Sequence, residues 1–118
     1  MQAAEFISKT MAVRTAAHLA HLRTRSYSAH VALQAFYNGL ADLIDDYAEV
    51  YQGLFTPLQK FPEQSVPMQD PLMFIVDYTD ELRKGRADLA QGERALENII
   101  DEIVALCGRT IYKLRDLK

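Results

Sequence analysis

The sequence predicts an all-α fold, a four-helix bundle with a proline-rich crossover between the second and third helices. Three observations lead there. All four prolines, Pro57, Pro62, Pro67 and Pro71, fall within residues 57–71, so the strongest helix breaker is absent from everything before and after. Apolar residues recur at helical spacing on both sides of that segment. The pair Asp70-Pro71 forms an N-cap followed by a first helical residue, where proline's missing donor costs nothing.

The first half, residues 3–53, is rich in Ala, Leu and charged residues. Its break is expected at Thr24-Arg25-Ser26-Tyr27-Ser28, where hydroxyl side chains compete with the helical backbone and can cap a new helix. This gives a first helix at about 3–23 and a second at about 27–53, the latter closed by Gly53. The crossover carries Phe55, Leu58, Phe61 and Met68 and is expected to pack across the bundle. A third helix should run from Pro71 to about Gly85, and a fourth from Asp88 to about Asp116. Leu96, Ile99, Ile100, Ile103, Val104, Leu106, Ile111 and Leu114 mark the buried face of the fourth. No sequence repeat interrupts this plan, so residues 1–118 are expected to form one domain.

Composition narrows the functional classes. Thirteen basic against sixteen acidic residues give a net charge of −3, which disfavours nucleic acid as a partner. The basic residues Arg109, Lys113, Arg115 and Lys118 sit where they complement the dipole of the last helix. No stretch approaches the roughly 18 apolar residues of a membrane span, and the N-terminus lacks a signal-peptide pattern, so a cytoplasmic location is expected. The one cysteine, Cys107, lies in an apolar stretch that points to a buried, inert thiol. Phosphate-cradling glycine loops, CxxC, HExxH and G-x-S-x-G are all absent.

The second helix holds the most informative pattern. At 100° per residue, Leu33, Phe36, Leu40, Leu43, Tyr47 and Tyr51 share one face, while His30, Gln34, Asn38, Asp42, Asp45, Asp46 and Glu49 share a polar arc. Carboxylates spaced at three, four and seven residues repel one another, and no Lys or Arg occurs between residues 26 and 59 to relieve them. A solvated face is the plain account; a cation or a basic partner surface would remove the repulsion. Carboxylate and imidazole together suit borderline metals, and His30 opens the same arc. Glu97, Asp101 and Glu102 of the fourth helix lack a histidine companion and are expected to be solvated. The tyrosines Tyr27, Tyr37, Tyr47 and Tyr51 are expected to bury their rings and leave hydroxyls at the rim.

The run Ala20-His21-Leu22-Arg23-Thr24, then His30, then Asp45-Asp46-Tyr47-Ala48-Glu49, resembles the Dps-like mini-ferritin branch of the ferritin-like superfamily. That resemblance implies a ferritin-like bundle that forms homo-oligomers, at least dimers, with iron bound and oxidised at an inter-subunit site. The metal ligands it implies are His21 or His18, His30, Asp45 and Glu49. Gln34 stands where that family has an aspartate, which marks a lost ligand. The strings AHLAHL-x-T-x-SY-x-x-H-x-AL-x-x-FY, D-x-x-AEVYQG and IIDEIVAL also resemble a group of small tailed-bacteriophage proteins over nearly the whole chain. Two functions are thus expected from the sequence. One is iron binding and oxidation between copies; the alternative is a non-enzymatic phage accessory or structural protein that contacts phage or host proteins.

Overall fold

The computed structural model describes residues 1–118 as four α-helices: α1 (Ala3–Arg23), α2 (Tyr27–Leu54), α3 (Pro71–Ala90) and α4 (Arg94–Asp116). They pack as a four-helix bundle without strands, 43 × 26 × 21 Å in extent. α1 and α2 form one antiparallel hairpin, and α3 and α4 the other. The neighbours across the bundle are α2 with α4 and α1 with α3. The crossover of residues 55–70 runs back along the bundle, so α3 starts beside the α1–α2 corner and points the same way as α2. α2 and α4 are the longest elements, at 28 and 23 residues.

Each boundary has a local cause. Ser26 caps α2, its Oγ accepting from the Ala29 amide at 3.2 Å. Asp70 caps α3 by accepting from the Leu72 amide at 3.1 Å, with Pro71 as the first helical residue. Two boundaries depart from the sequence expectation: Gly53 does not close α2, which runs through it to Leu54 with Phe55 as the C-cap, and the turn between α3 and α4 lies further along the chain. α3 does not stop near Gly85, nor does the fourth helix start at Asp88: α3 continues to Ala90, and α4 begins at Arg94. Gly85 is helical and packs near the Leu89 side chain. The turn instead uses Gln91 and Gly92 at φ 48° and 80°, a left-handed pair that ends the helix.

One continuous core contains Phe6, Leu33, Phe36, Leu40, Tyr47, Tyr78, Leu82, Leu96 and Ile100, all fully or almost fully buried. α1 contributes small residues, Ala16, Ala17 and Ala20, which let α2 approach closely. Every buried polar side-chain atom has a partner. The Thr10 and Tyr78 hydroxyls bond each other at 2.8 Å between α1 and α3. Tyr47 donates to the Leu89 carbonyl at 2.9 Å, satisfying an acceptor in the last turn of α3. At the surface, Arg86 of α3 grips Asp101 of α4 at 2.7 and 2.8 Å and reaches Glu97 at 3.3 Å. Asp101 and Glu97 therefore pair with a cation, where the sequence suggested a purely solvated face.

The crossover is held more loosely than expected. No backbone group between Thr56 and Gln69 bonds to another backbone group. Only Leu58 and Val66 pack on the core, and Phe55, Phe61 and Met68 are exposed. Proline removes donors and an extended chain offers none in register, so side chains do the anchoring. The Gln52 carboxamide helps by accepting from the Leu58 amide at 2.9 Å.

Candidate functional site

The three histidines meet at the corner where α1 turns into α2. The His21 and His30 rings stack with centroids 3.7 Å apart and planes 18° from parallel. His18, one turn earlier on α1, stacks on Tyr37 at 4.2 Å, and its ring centroid lies 6.0 Å from that of His21. His21 is buried, His30 half-buried and His18 exposed.

Reciprocal hydrogen bonds fix the central pair. The Nδ1–H of His21 donates to the His30 carbonyl at 2.8 Å, and the Nδ1–H of His30 donates to the His21 carbonyl at 2.8 Å. A carbonyl can only accept, so each Nδ1 carries its proton and each neutral ring keeps its Nε2 lone pair. The two bonds are not equivalent. The His30 carbonyl lies inside α2, where the helix supplies a donor. The His21 carbonyl lies in the last turn of α1, and no backbone amide donates to it. His30 therefore acts as a side-chain cap on the end of α1. The rings face each other with in-plane lone pairs, so this arrangement does not aim both Nε2 atoms at one ion.

The carboxylates lie elsewhere. Asp42, Asp45, Asp46 and Glu49 are exposed along the outer face of α2, as its angular pattern indicates. Fifteen residues separate His30 from Asp45 on one helix, about 22 Å of rise. Within one chain no group of three or more His, Cys, Asp or Glu side chains is gathered around a point that could hold a metal ion. The histidines, at the α1–α2 corner, and the acidic pair implied by the resemblance, further along α2, are thus not brought together within the chain.

That face has a further property. Around the histidine corner Leu22 is 67% exposed, Tyr27 81% and Val31 46%, with Leu19 and Met11 also open along α1. The exposed ring of Tyr27 departs from the expectation that all four α2 tyrosines bury theirs. Tyr47 departs in the opposite sense, since both its ring and its hydroxyl are buried. The apolar corner was missed because the helical pattern marks core positions and assigns everything else to solvent.

Cys107 is fully buried, and burial pushes its thiol up to about 11, only partly offset by the Thr79 hydroxyl. It is an inert core residue, as the sequence suggested. The largest cleft, about 440 Å³, lies away from the histidines between the crossover, α1 and α3, bordered by Lys9, Glu63, Asp77 and Glu81. Lys9 and Glu81 pair across its mouth. No helix is long and apolar enough to cross a membrane.

Residues 21–114 match the model of a family described as a family of unknown function, DUF5856. The chain belongs to that family. The matched span opens at His21 and includes His30 and the acidic face, while His18 lies outside it. The chain is also similar to the uncharacterized 14.6 kDa protein in the mobD-ri intergenic region of enterobacteria phage T4. The two are 29% identical over 121 residues, spanning 96% of this chain and 88% of the phage protein. No solved structure matches the chain.

Proposed function

We propose that this phage-type protein is a non-enzymatic accessory protein that works through protein contacts made by the outer face of α1 and α2. The observation that carries the reading is the histidine clamp. Its Nδ1 atoms tie α1 to α2, and the rings sit about 22 Å along the helix from the carboxylates that would complete a catalytic metal centre. The open apolar side chains Leu22, Tyr27 and Val31 beside the clamp support contact as the role of this face.

A second reading follows from the up-down-down-up connectivity with one long crossover, an arrangement found in ferritin-like bundles. On that reading iron is bound between copies, by His30 with His21 or His18 of one and Asp45 and Glu49 of the other. Carboxylate and imidazole suit Fe(II) and leave a position for an oxidant.

One experiment separates the two. Fe(II) is added aerobically to the purified protein and to Asp45→Ala, and ferric absorbance is followed. The proposed function expects oxidation no faster than in buffer for both. Acceleration by the wild type that Asp45→Ala abolishes would replace it with the iron reading.

A further inference from the structure

The outer surface of α1 is spaced like the seam of a helix that meets another helix, yet no helix of the chain lies on it. Met11, Thr15, His18 and Leu22 are all exposed and follow one another at the alternating four- and three-residue steps of a helix–helix contact. At 100° per residue they fall within an arc of about 60°, facing away from the buried Phe6, Val13 and Ala17. The neighbours of α1 are α2 and α3 alone. Leu19 and Leu22 border a depression of about 250 Å³ on this stripe. Across the corner the stripe continues to Tyr27 and Val31, both exposed.

The charge around the stripe has one sign. No Asp or Glu occurs between Glu5 and Asp42. Arg14 and Arg23 flank the stripe on its two sides, and Arg25 stands at its corner end. All three are exposed, and none forms an ion pair within the chain. Lys9, the remaining cation of that stretch, is held by Glu81. Across the hairpin Phe6 meets Tyr47 and His21 meets His30, which sets Asp45, Asp46 and Glu49 level with the first two turns of α1, beyond the Met11 end of the stripe.

We infer that this stripe docks an amphipathic helix of another protein, one that sets apolar side chains against Met11, Leu19 and Leu22 and carries Asp or Glu along its flanks. This rests on the reading of the α1–α2 face as the working surface, and it adds the chemistry of the partner. From Met11 to Leu22 the stripe rises about 16 Å, the length of three turns of a partner helix. Acidic flanks facing Arg14 and Arg23 steer and orient that helix, while the apolar contact supplies affinity. A nucleic acid would set phosphates against Leu19, Leu22 and Val31, which cannot pair with them. An anionic bilayer is broad and would meet the carboxylates of α2 along with the stripe. A helix about 10 Å wide lies on the stripe and ends short of them.

The probe is a dye-labelled synthetic peptide with leucine at every third or fourth position and glutamate elsewhere. It is titrated with the full chain at low salt and followed by fluorescence anisotropy. The glutamate peptide is expected to bind, and a counterpart with lysine for glutamate is not. Arg14→Glu combined with Arg23→Glu should weaken binding by about tenfold or more, and Leu22→Asp by a similar factor. Arg109→Glu is an equal kind of charge reversal at an exposed site on α4, which does not touch α1, and should leave the affinity within about twofold. A chain that leaves the glutamate peptide free at about 100 µM overturns the inference. So does binding that the lysine peptide matches, or that Arg109→Glu weakens as much as the paired arginine reversal. Co-sedimentation with phosphatidylglycerol vesicles in place of peptide binding assigns the stripe to a lipid surface and also overturns it. The Fe(II) assay reads separately: a chain that neither binds the peptide nor oxidises iron loses the acidic partner and keeps the accessory role, whereas iron oxidation abolished by Asp45→Ala removes that role whatever the peptide does.

Discussion

Replacing His30 with phenylalanine preserves a ring that can stack on His21 and removes both ring nitrogens, of which only Nδ1 is hydrogen-bonded within the chain. The lost bond is the one that caps the His21 carbonyl at the end of α1. A single hydrogen bond contributes about 0.5–1.5 kcal/mol net, and a shielded acceptor left without a donor costs about 1–3 kcal/mol. The corner is partly open to water, so the lower part of that range applies, about 1–2 kcal/mol. At about 2.1 cal/mol/K per residue, a chain of this length has an unfolding entropy near 250 cal/mol/K. Each kcal/mol then moves the midpoint by about 4 °C, so His30→Phe should melt about 4–8 °C lower in a circular-dichroism scan. His18→Phe is the control: its ring is exposed, stacks on Tyr37 and donates no hydrogen bond to the chain, so it should shift the midpoint by less than about 2 °C. Equal melting of His30→Phe and wild type, or an equal loss from His18→Phe, would refute the capping role.

The buried Cys107 thiol, pushed up to about 11, binds its proton more tightly folded than unfolded. Its contribution is therefore complete below the unfolded value of about 9 and is lost as pH rises through 11, by at most about 3 kcal/mol. Burial pushes the Tyr47 and Tyr78 hydroxyls in the same direction, so melting temperature should fall steeply from pH 9 to 11, and a thiol reagent at pH 8 should label Cys107 only after denaturation. Gly108→Ala should stabilise by about 0.5–1 kcal/mol, since a Cβ there meets nothing within 4 Å and the residue lies inside α4. At Gly39 the same change places a Cβ 3.2 Å from Leu106, and denaturant titration should find the helical gain cancelled. Asp101→Asn should lower the melting point slightly at low salt and hardly at all at 1 M, because the Arg86 clamp is exposed. Arg86 holds the Asp101 carboxyl below its ordinary value, so the clamp's contribution is present above the unfolded carboxylate value of about 3.9 and fades as pH falls through the lower folded one.

The architecture was legible because its punctuation is concentrated. Four prolines in one segment, Asp70-Pro71 at a helix start and the hydroxyl run around Ser26 leave little choice about where helices begin. The α3–α4 turn was harder because two glycines compete for it. Gly85 lies inside a helix stabilised by packing on both sides, while the turn needs Gln91 in a left-handed conformation that glutamine seldom adopts. The site was legible in its parts. The resemblance named His21 and His30 together, and the angular pattern of α2 located the acidic face. What the pattern does not carry is a hydrogen-bond direction: whether an imidazole faces a metal or a helix-end carbonyl depends on how the corner closes. Arg86 was likewise unreadable as a partner for Asp101, because the two residues meet only through the packing of α3 on α4.

The crossover, free of backbone–backbone hydrogen bonds, divides the chain into two helical hairpins, each made of neighbours in sequence, joined by a strap that contributes only two apolar anchors. A peptide bond cut near Lys60 or Glu63 would sever no backbone hydrogen bond, and the α2–α4 and α1–α3 contacts would still hold the halves together. The two hairpins could then be produced as separate polypeptides and mixed. Insertions of altered length should likewise be tolerated at this strap, because the packing of the four helices does not depend on its path.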